Sequence, residues 1–320
     1  MNNTTANNNS ENKRNLYFGI DLGTTNSVIA WGNLNSKGEL VCNVHETERK
    51  TPGGKSRSKL LPSFVGYDVD RSTGELISFV GDAAKEKYGD KQGYVSKSIK
   101  SQMGFSDSSD LADEIPDKTP AQVSAKILSH MLKDAERKYL FYPEDVVITI
   151  PASFGPDSLK ATIEAAKLAK INTDNVHDIL LHEPEAVIYN FIHMQESGEI
   201  PEVLIDFSTP KNILVFDLGG GTLDVTIHTI SSAENGMMNV KKIAISRYTQ
   251  IGGDNFDELI AEYLFKEFQD TLDMKVPSDK KEGIMRKLRQ LAEQQAKLEL
   301  SEKFDNYAQA GKEMPDDCEV

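Results

Sequence analysis

The sequence predicts a mixed α/β protein built from two related halves, and three observations predict it. Apolar runs of strand length alternate along the chain with apolar residues at helical spacing. The segment FGIDLGTTNSVIA at 18–30 is echoed by VFDLGGGTLDVTI at 215–227, which puts Asp21 and Asp217 at matching positions. The length of 320 residues also suits two domains of roughly 150 residues each.

Taken in order, the Asn-, Thr- and Ser-rich residues 1–15 carry no apolar stretch and are expected to be a disordered tail, without a secretory signal. Leu16–Ile20 and Val28–Trp31 flank DLGTTNS and read as a hairpin. Residues 51–118 are rich in Lys, Ser, Gly and Asp, the composition of a peripheral insert. Val123, Ile127, Leu128, Met131, Leu132, Ala135 and Tyr139 recur at helical spacing, and Val146–Ile150 then supplies a buried strand ended by Pro151.

A helix over Leu159–Ala166, a strand at Ile179–Leu181 and a helix over Glu185–His193 follow, with Pro184 suited to the first turn. Strands are expected at Ile213–Phe216, Val225–Ile230 and Val240–Ile245. Phe256, Leu259, Ile260, Tyr263, Leu264 and Phe268 form one apolar helix stripe, and Ile284, Leu288, Leu291, Gln295 and Leu298 another. The domain plan is therefore a tail at 1–15, a first-half core at 16–50 and 119–195 carrying the 51–118 insert, a second-half core at 196–249, and a peripheral part at 250–320. The ending Cys318–Val320 reads as the start of a strand.

Composition excludes several functions. Lys plus Arg number 36 against 50 Asp plus Glu, a net charge of −14, which repels nucleic-acid backbones and anionic lipid surfaces. No window holds the roughly 18 apolar residues that span a bilayer. Cys42 and Cys318 are too few for a disulfide framework or a four-ligand zinc site, so the cytoplasm is the expected location.

The duplicated turn carries the chemistry. Each copy sets an Asp at the end of an apolar strand, then glycine, then threonine. Glycines let backbone N–H groups converge on phosphate oxygens without a Cβ in the way, and the hydroxyls of Thr24, Thr25 and Thr222 add donors. The carboxylates of Asp21 and Asp217 would repel bare phosphate, which implies Mg²⁺ held partly through its waters. A single such turn is most simply a tight hairpin; two similar copies favour a shared site. No G-x-G-x-x-G opens a helix after a strand, so a Rossmann site lacks its context. IGGDNFDE at 251–258 runs into a helix, whose N-terminus suits an anion or simply takes Asp254 as its cap.

In GIDLGTTNS (19–27), GDAAK (81–85), VVITIPASF (146–154), LLHEPEA (180–186), VFDLGGGTLDV (215–225), IGGDNFD (251–257) and AKLELS (296–301), the chain resembles the seventy-kilodalton heat-shock chaperone family of DnaK type. The resemblance implies an actin-like ATPase fold: two lobes, each with a mixed sheet and flanking helices, around a nucleotide cleft, the second lobe incomplete. It implies ATP or ADP with Mg²⁺ bound through water by Asp21 and Asp217. Thr24, Thr25, Gly219, Gly220, Gly221 and Thr222 would cradle phosphates, with Gly252 and Gly253 in the same cleft. Lys85 and Glu183 match the family's catalytic pair, while Gln294, Lys297 and Ser301 match adenosine-side positions. The partners implied are unfolded polypeptide clients, held by a domain absent from this chain, a J-domain cochaperone and a nucleotide exchange factor. Several residues depart from the family. Gln294 replaces a glutamate, Leu298 and Leu159 replace arginines, and Ile179 and His182 replace polar residues of the cochaperone face. The same duplicated turn also serves sugar and acetate kinases, actin-like filaments and inactive scaffolds; no segment marks a phosphoryl acceptor.

Overall fold

The structure, a computed structural model, describes residues 16–313 and 315, except 52–53, 89–92, 108–110, 201–204, 234–236, 247–249 and 274. The tail at 1–15, the strand expected from Cys318 and the side chain of Gln294 lie outside the described residues.

The first turn joins β1 (Tyr17–Asp21) to β2 (Asn26–Leu34), and β3 (Leu40–Val44) continues the meander. The hairpin β4 (Thr47–Thr51) and β5 (Gly54–Ser58) stands apart, and β6 (Leu61–Pro62) pairs with the start of β2. Next, β7 (Val65–Val69) lies between β8 (Leu76–Val80) and β9 (Val95–Ser96), with helix α1 (Asp82–Lys87) connecting the last two and a 3-10 turn (Ile99–Gln102) after them. Helix α2 (Pro120–Tyr139) begins with a capping box: Thr119 Oγ1 accepts from the Gln122 N–H, and Gln122 Oε1 accepts from the Thr119 N–H.

Helix α2 leads into β10 (Val146–Ile150), α3 (Pro156–Leu168), the short α4 (Val176–Ile179), β11 (Leu180–His182) and α5 (Glu183–Ser197). The first sheet runs β11-β10-β1-β2-β3. β1 pairs parallel with β10 and antiparallel with β2, so Asp21 and Thr149 end side by side at one edge of the cavity described below. The second half opens with an antiparallel meander, β12 (Lys211–Leu218), β13 (Leu223–Ser232) and β14 (Met238–Ile245). It continues through α6 (Gly253–Leu272), α7 (Ser278–Leu291), a π-helical turn (Ala292–Lys297) and α8 (Leu298–Gln309).

One large core packs Phe18, Ile20 and Ile29 of the sheet against Ile127, Leu128, Met131 and Leu132 of α2. Leu61, Val65, Ile99, Met103 and Ile115 join the same core from within 51–118. Composition hides them because they are scattered among Lys, Ser and Asp. A smaller core sets Ile188 and Ile192 of α5 against Val215 and Ile230 of the second sheet.

Two apolar stripes pack only in part: Ile260 of the first and Leu288 of the second lie against a small cluster of Ala261, Met285 and Ala292, while other members are exposed. On α6, Phe256, Leu259 and Tyr263 are exposed, and the buried positions are Asp257 and Ala261. Ala261 packs with Met285 of α7 and Ala292 of the π-helical turn. On the other stripe Leu291 and Leu298 are exposed. The π-helical turn widens the helix at this point and shifts the phase of the pattern beyond it.

Candidate functional site

A cavity of about 630 Å³ opens between the two DLG turns. Asp21, Thr24 and Thr25 line it from one side, and Asp217, Gly219, Gly220 and Thr222 from the other. The second turn is closed by the Gly219 N–H donating to the Thr222 carbonyl, 2.9 Å. Glycine is required where the turns touch. A Cβ on Gly220 would sit 2.2 Å from Thr25 Oγ1, and one on Gly221 2.2 Å from Ser101 Oγ.

The charged groups of the cavity converge on one lysine. Lys100, in the 3-10 turn, is buried with its ammonium hydrogen-bonded to Glu183 Oε1 and 3.9 Å from Asp21 Oδ1. Thr149 Oγ1 donates to Asp21 Oδ1 at 3.0 Å, fixing that carboxylate. Asp217 lines the same cavity, close enough to Glu183 for each carboxyl to affect the other. Burial pushes the Glu183 carboxyl above its ordinary range despite Lys100 beside it. Burial also raises Asp217, again against the pull of Lys100, with the charges of Asp224 and Asp21 adding to the rise. Asp224, 2% exposed, has neither carboxylate oxygen hydrogen-bonded.

The raised carboxyls give a pH dependence with a definite sign. A cation held by Asp217 needs the ionised form, so affinity is present above the raised pKa values and lost as pH falls through them. Binding of Mg²⁺ is therefore expected to weaken on acidification at a higher pH than it would at unperturbed carboxylates. Asp224→Asn should move that midpoint to lower pH by removing one like charge from beside Asp217.

Other expected site residues stand elsewhere. Lys85 and Glu183 are not brought together: Lys85 Nζ lies 3.0 Å from Glu293 Oε1, joining α1 to the π-helical turn, while Glu183 takes Lys100. Helix α1 packs on β6, β7 and β8, and no contact of it with α5 stands among the main element contacts. Against burial, which raises it, Lys97 and Lys85 hold the Glu293 carboxyl below its ordinary range.

Gly252 and Gly253 buttress the second turn and do not line the cavity. The N–H groups of Gly253 and Asp254 donate to the Gly219 and Gly220 carbonyls at 3.0 and 2.7 Å, so these helix-start donors are already used. Lys297 Nζ is 2.6 Å from Asp257 and donates to the Gly253 carbonyl. Ser301 is exposed, with its hydroxyl bonded back to the Lys297 carbonyl.

Two residues at the site escape sequence reading: Lys100, which lines the cavity, and Asp224, buried behind Asp217. A signal for the first is its place between Ile99 and Met103, two residues that are themselves buried. For the second it is the acid opposite Asp217 across the hairpin register. Among the described residues no group of three or more His, Cys, Asp or Glu side chains is placed to hold a metal directly, and no helix is long and apolar enough to cross a membrane.

The sequence profile of the family described as Hsp70 protein matches residues 17–313. The chain is 34% identical over 296 residues to the chaperone protein DnaK of Thermosipho africanus, covering 92% of this chain and 42% of that protein. It is 32% identical over 295 residues to the DnaK of Thermotoga neapolitana, with the same coverage. With the DnaK of Ureaplasma parvum it shares 31% identity over 286 residues, 89% of this chain and 40% of the relative. The chain thus spans about two-fifths of the length of these relatives.

Proposed function

Because the chain belongs to the Hsp70 protein family, we propose that it is the nucleotide-binding ATPase part of a molecular chaperone, hydrolysing ATP to ADP and phosphate between its two DLG turns. Its fold is accordingly the actin-like ATPase fold. The supporting observation is the convergence of Asp21, Asp217, Glu183 and Lys100 on one cavity walled by two glycine- and threonine-bearing turns.

The residues present fit a magnesium nucleotide. A Cβ would fill the space at Gly220 and Gly221, and Asp224 offers a buried carboxylate with no hydrogen-bond partner. In this reading Asp21 and Asp217 hold the cation through its waters, and Thr24, Thr25 and the Gly219–Thr222 turn hold phosphate oxygens. The cation, when bound, neutralises phosphate charge. Lys100 supplies a fixed positive charge beside the phosphates, and Glu183 orients the attacking water. Hydrolysis of this kind depends mainly on positioning and charge neutralisation.

The two lobes of this reading are 16–195, with 51–118 carried on the first, and 196–320. Unfolded polypeptide would be gripped by a part of the protein outside this chain, in the cytoplasm. A J-domain cochaperone and a nucleotide exchange factor would act on the cycle. Phosphate release from Mg²⁺·ATP by the purified chain tests the reading. Slow, acceptor-independent hydrolysis is expected. Turnover that requires an added sugar or acetate, or no nucleotide binding at all, would overturn it.

A further inference from the structure

Two histidines meet where the halves of the molecule pack together. On β13, Asp224, Thr226, His228 and Ile230 occupy alternate positions of one face, and all four are buried. Ile230 packs with Ile188 and Ile192 of α5, so the same face turns His228 toward that first-half helix. The register of β13 against β14 shifts between Ile227 and His228, an irregularity of the kind that re-aims a side chain. His228 Nε2 lies 3.1 Å from Thr226 Oγ1, while its Nδ1, also buried, has no hydrogen-bond partner.

His182 comes from the first half. It is the last residue of β11, in register with Ile150, and directly precedes Glu183, the first residue of α5. Its Nδ1 is likewise buried without a partner. The two rings are close enough for the charge of one to act on the other. The other charges facing His228 are Glu185 of α5 and Lys242 of β14, and Asp224 stands four residues along its own strand face. Whichever nitrogen carries the proton of the neutral ring, an imidazolium carries two N–H groups, and the one at Nδ1 would meet no acceptor. Burial holds the His228 imidazole below its ordinary range; Glu185 opposes this, while Lys242 and His182 add to it. The neutral ring is therefore favoured in the packed arrangement. Its contribution is present above the ordinary imidazole pKa, about 6.5, and is lost as pH falls below that value.

We propose that His182 and His228 form an acid-sensitive joint between the two halves. Neutral, the pair lets α5 sit on the second sheet; protonated, it drives helix and strand apart. Glu183, Ala186, Val187 and Asn190 of α5 line the cavity, so the joint loosens one cavity wall although neither histidine lines it. The joint works whether or not a nucleotide fills the cavity.

Hydrogen exchange of the nucleotide-free chain tests this, with rates corrected for the intrinsic pH dependence of amide exchange. Between about pH 7.5 and about pH 5.5, amides of 183–192 and 223–230 are expected to quicken about fivefold to tenfold, since one proton shifts a local equilibrium by at most about tenfold per pH unit. Amides of 127–132, in the first-half core, should hold within about twofold. His228→Leu, which removes the titrating ring, should abolish the step. His182→Asn should reduce it and bring the His228 ring closer to its ordinary pKa in an NMR titration of the imidazole Cε1–H. Should His228→Leu fold poorly, His228→Gln carries the same test. A wild-type chain without the step overturns the joint. An undiminished step in either histidine variant also overturns it, and assigns the acid response to the cavity carboxyls instead.

Discussion

Replacing Lys100 with alanine is expected to lower ATP turnover by about 10²- to 10³-fold, the usual cost of removing one preorganised charge from a phosphoryl or acyl transfer site. The Lys100 side chain is 9% exposed, its ammonium lies between Glu183 and Asp21, and no other Lys or Arg is among the cavity-lining residues. Lys85→Ala is the informative contrast. Its partner is Glu293, across the two halves and outside the cavity. Loss of that bridge should loosen contact between the halves and speed nucleotide loss, and any fall in single-turnover hydrolysis of bound ATP measures the catalytic share that the family resemblance gives Lys85. Single-turnover and dissociation rates measured on both variants separate the two roles.

Gly252→Ala is expected to abolish tight nucleotide binding, a loss of about 100-fold or more. A Cβ at this position would lie 2.6 Å from the carbonyl carbon and oxygen of Gly220 and from the Gly221 nitrogen. These are backbone atoms of the phosphate turn, which no rotamer change can move aside. Overpacking of this kind costs about 1–3 kcal/mol, and here the displacement falls on the turn itself. The first-half core, with Ile127, Leu128 and Ile148 fully buried, is remote from the clash. Thermal unfolding followed beside nucleotide titration should show affinity lost with the first-half transition largely kept.

Much of this was legible in the residues, for identifiable reasons. The two DLG turns announce themselves because the demand for glycine is local: the turns meet at Gly220 and Thr25, where a Cβ would have to displace the threonine hydroxyl. The capped helix α2 and the strand β10 were readable because each buries one continuous face of the same core. The stripes of α6 and α7 were legible only in part: Ile260 and Leu288 pack while Phe256, Leu259 and Tyr263 do not, because apolar periodicity does not say how much of a face finds a partner, and a π-helical turn changes the phase unannounced. The identity of the cavity lysine was hidden for a related reason. Lys85 and Lys100 lie in one stretch of similar composition, and only the fold decides that the first meets Glu293 and the second Glu183. Gly252 and Gly253 signalled a helix start correctly, but their neighbouring N–H groups are bonded to the adjacent turn.

The central claim is that a metal-bound triphosphate lies between the two turns, within reach of both Asp21 and Asp217. Paramagnetic broadening of the backbone amides by Mn²⁺·ATP measures this directly. Strong broadening at both Gly23–Thr25 and Gly219–Thr222, lost in Asp217→Asn, is the expected result. Broadening confined to one turn, or spread over surface carboxylates with both turns unaffected, would contradict it.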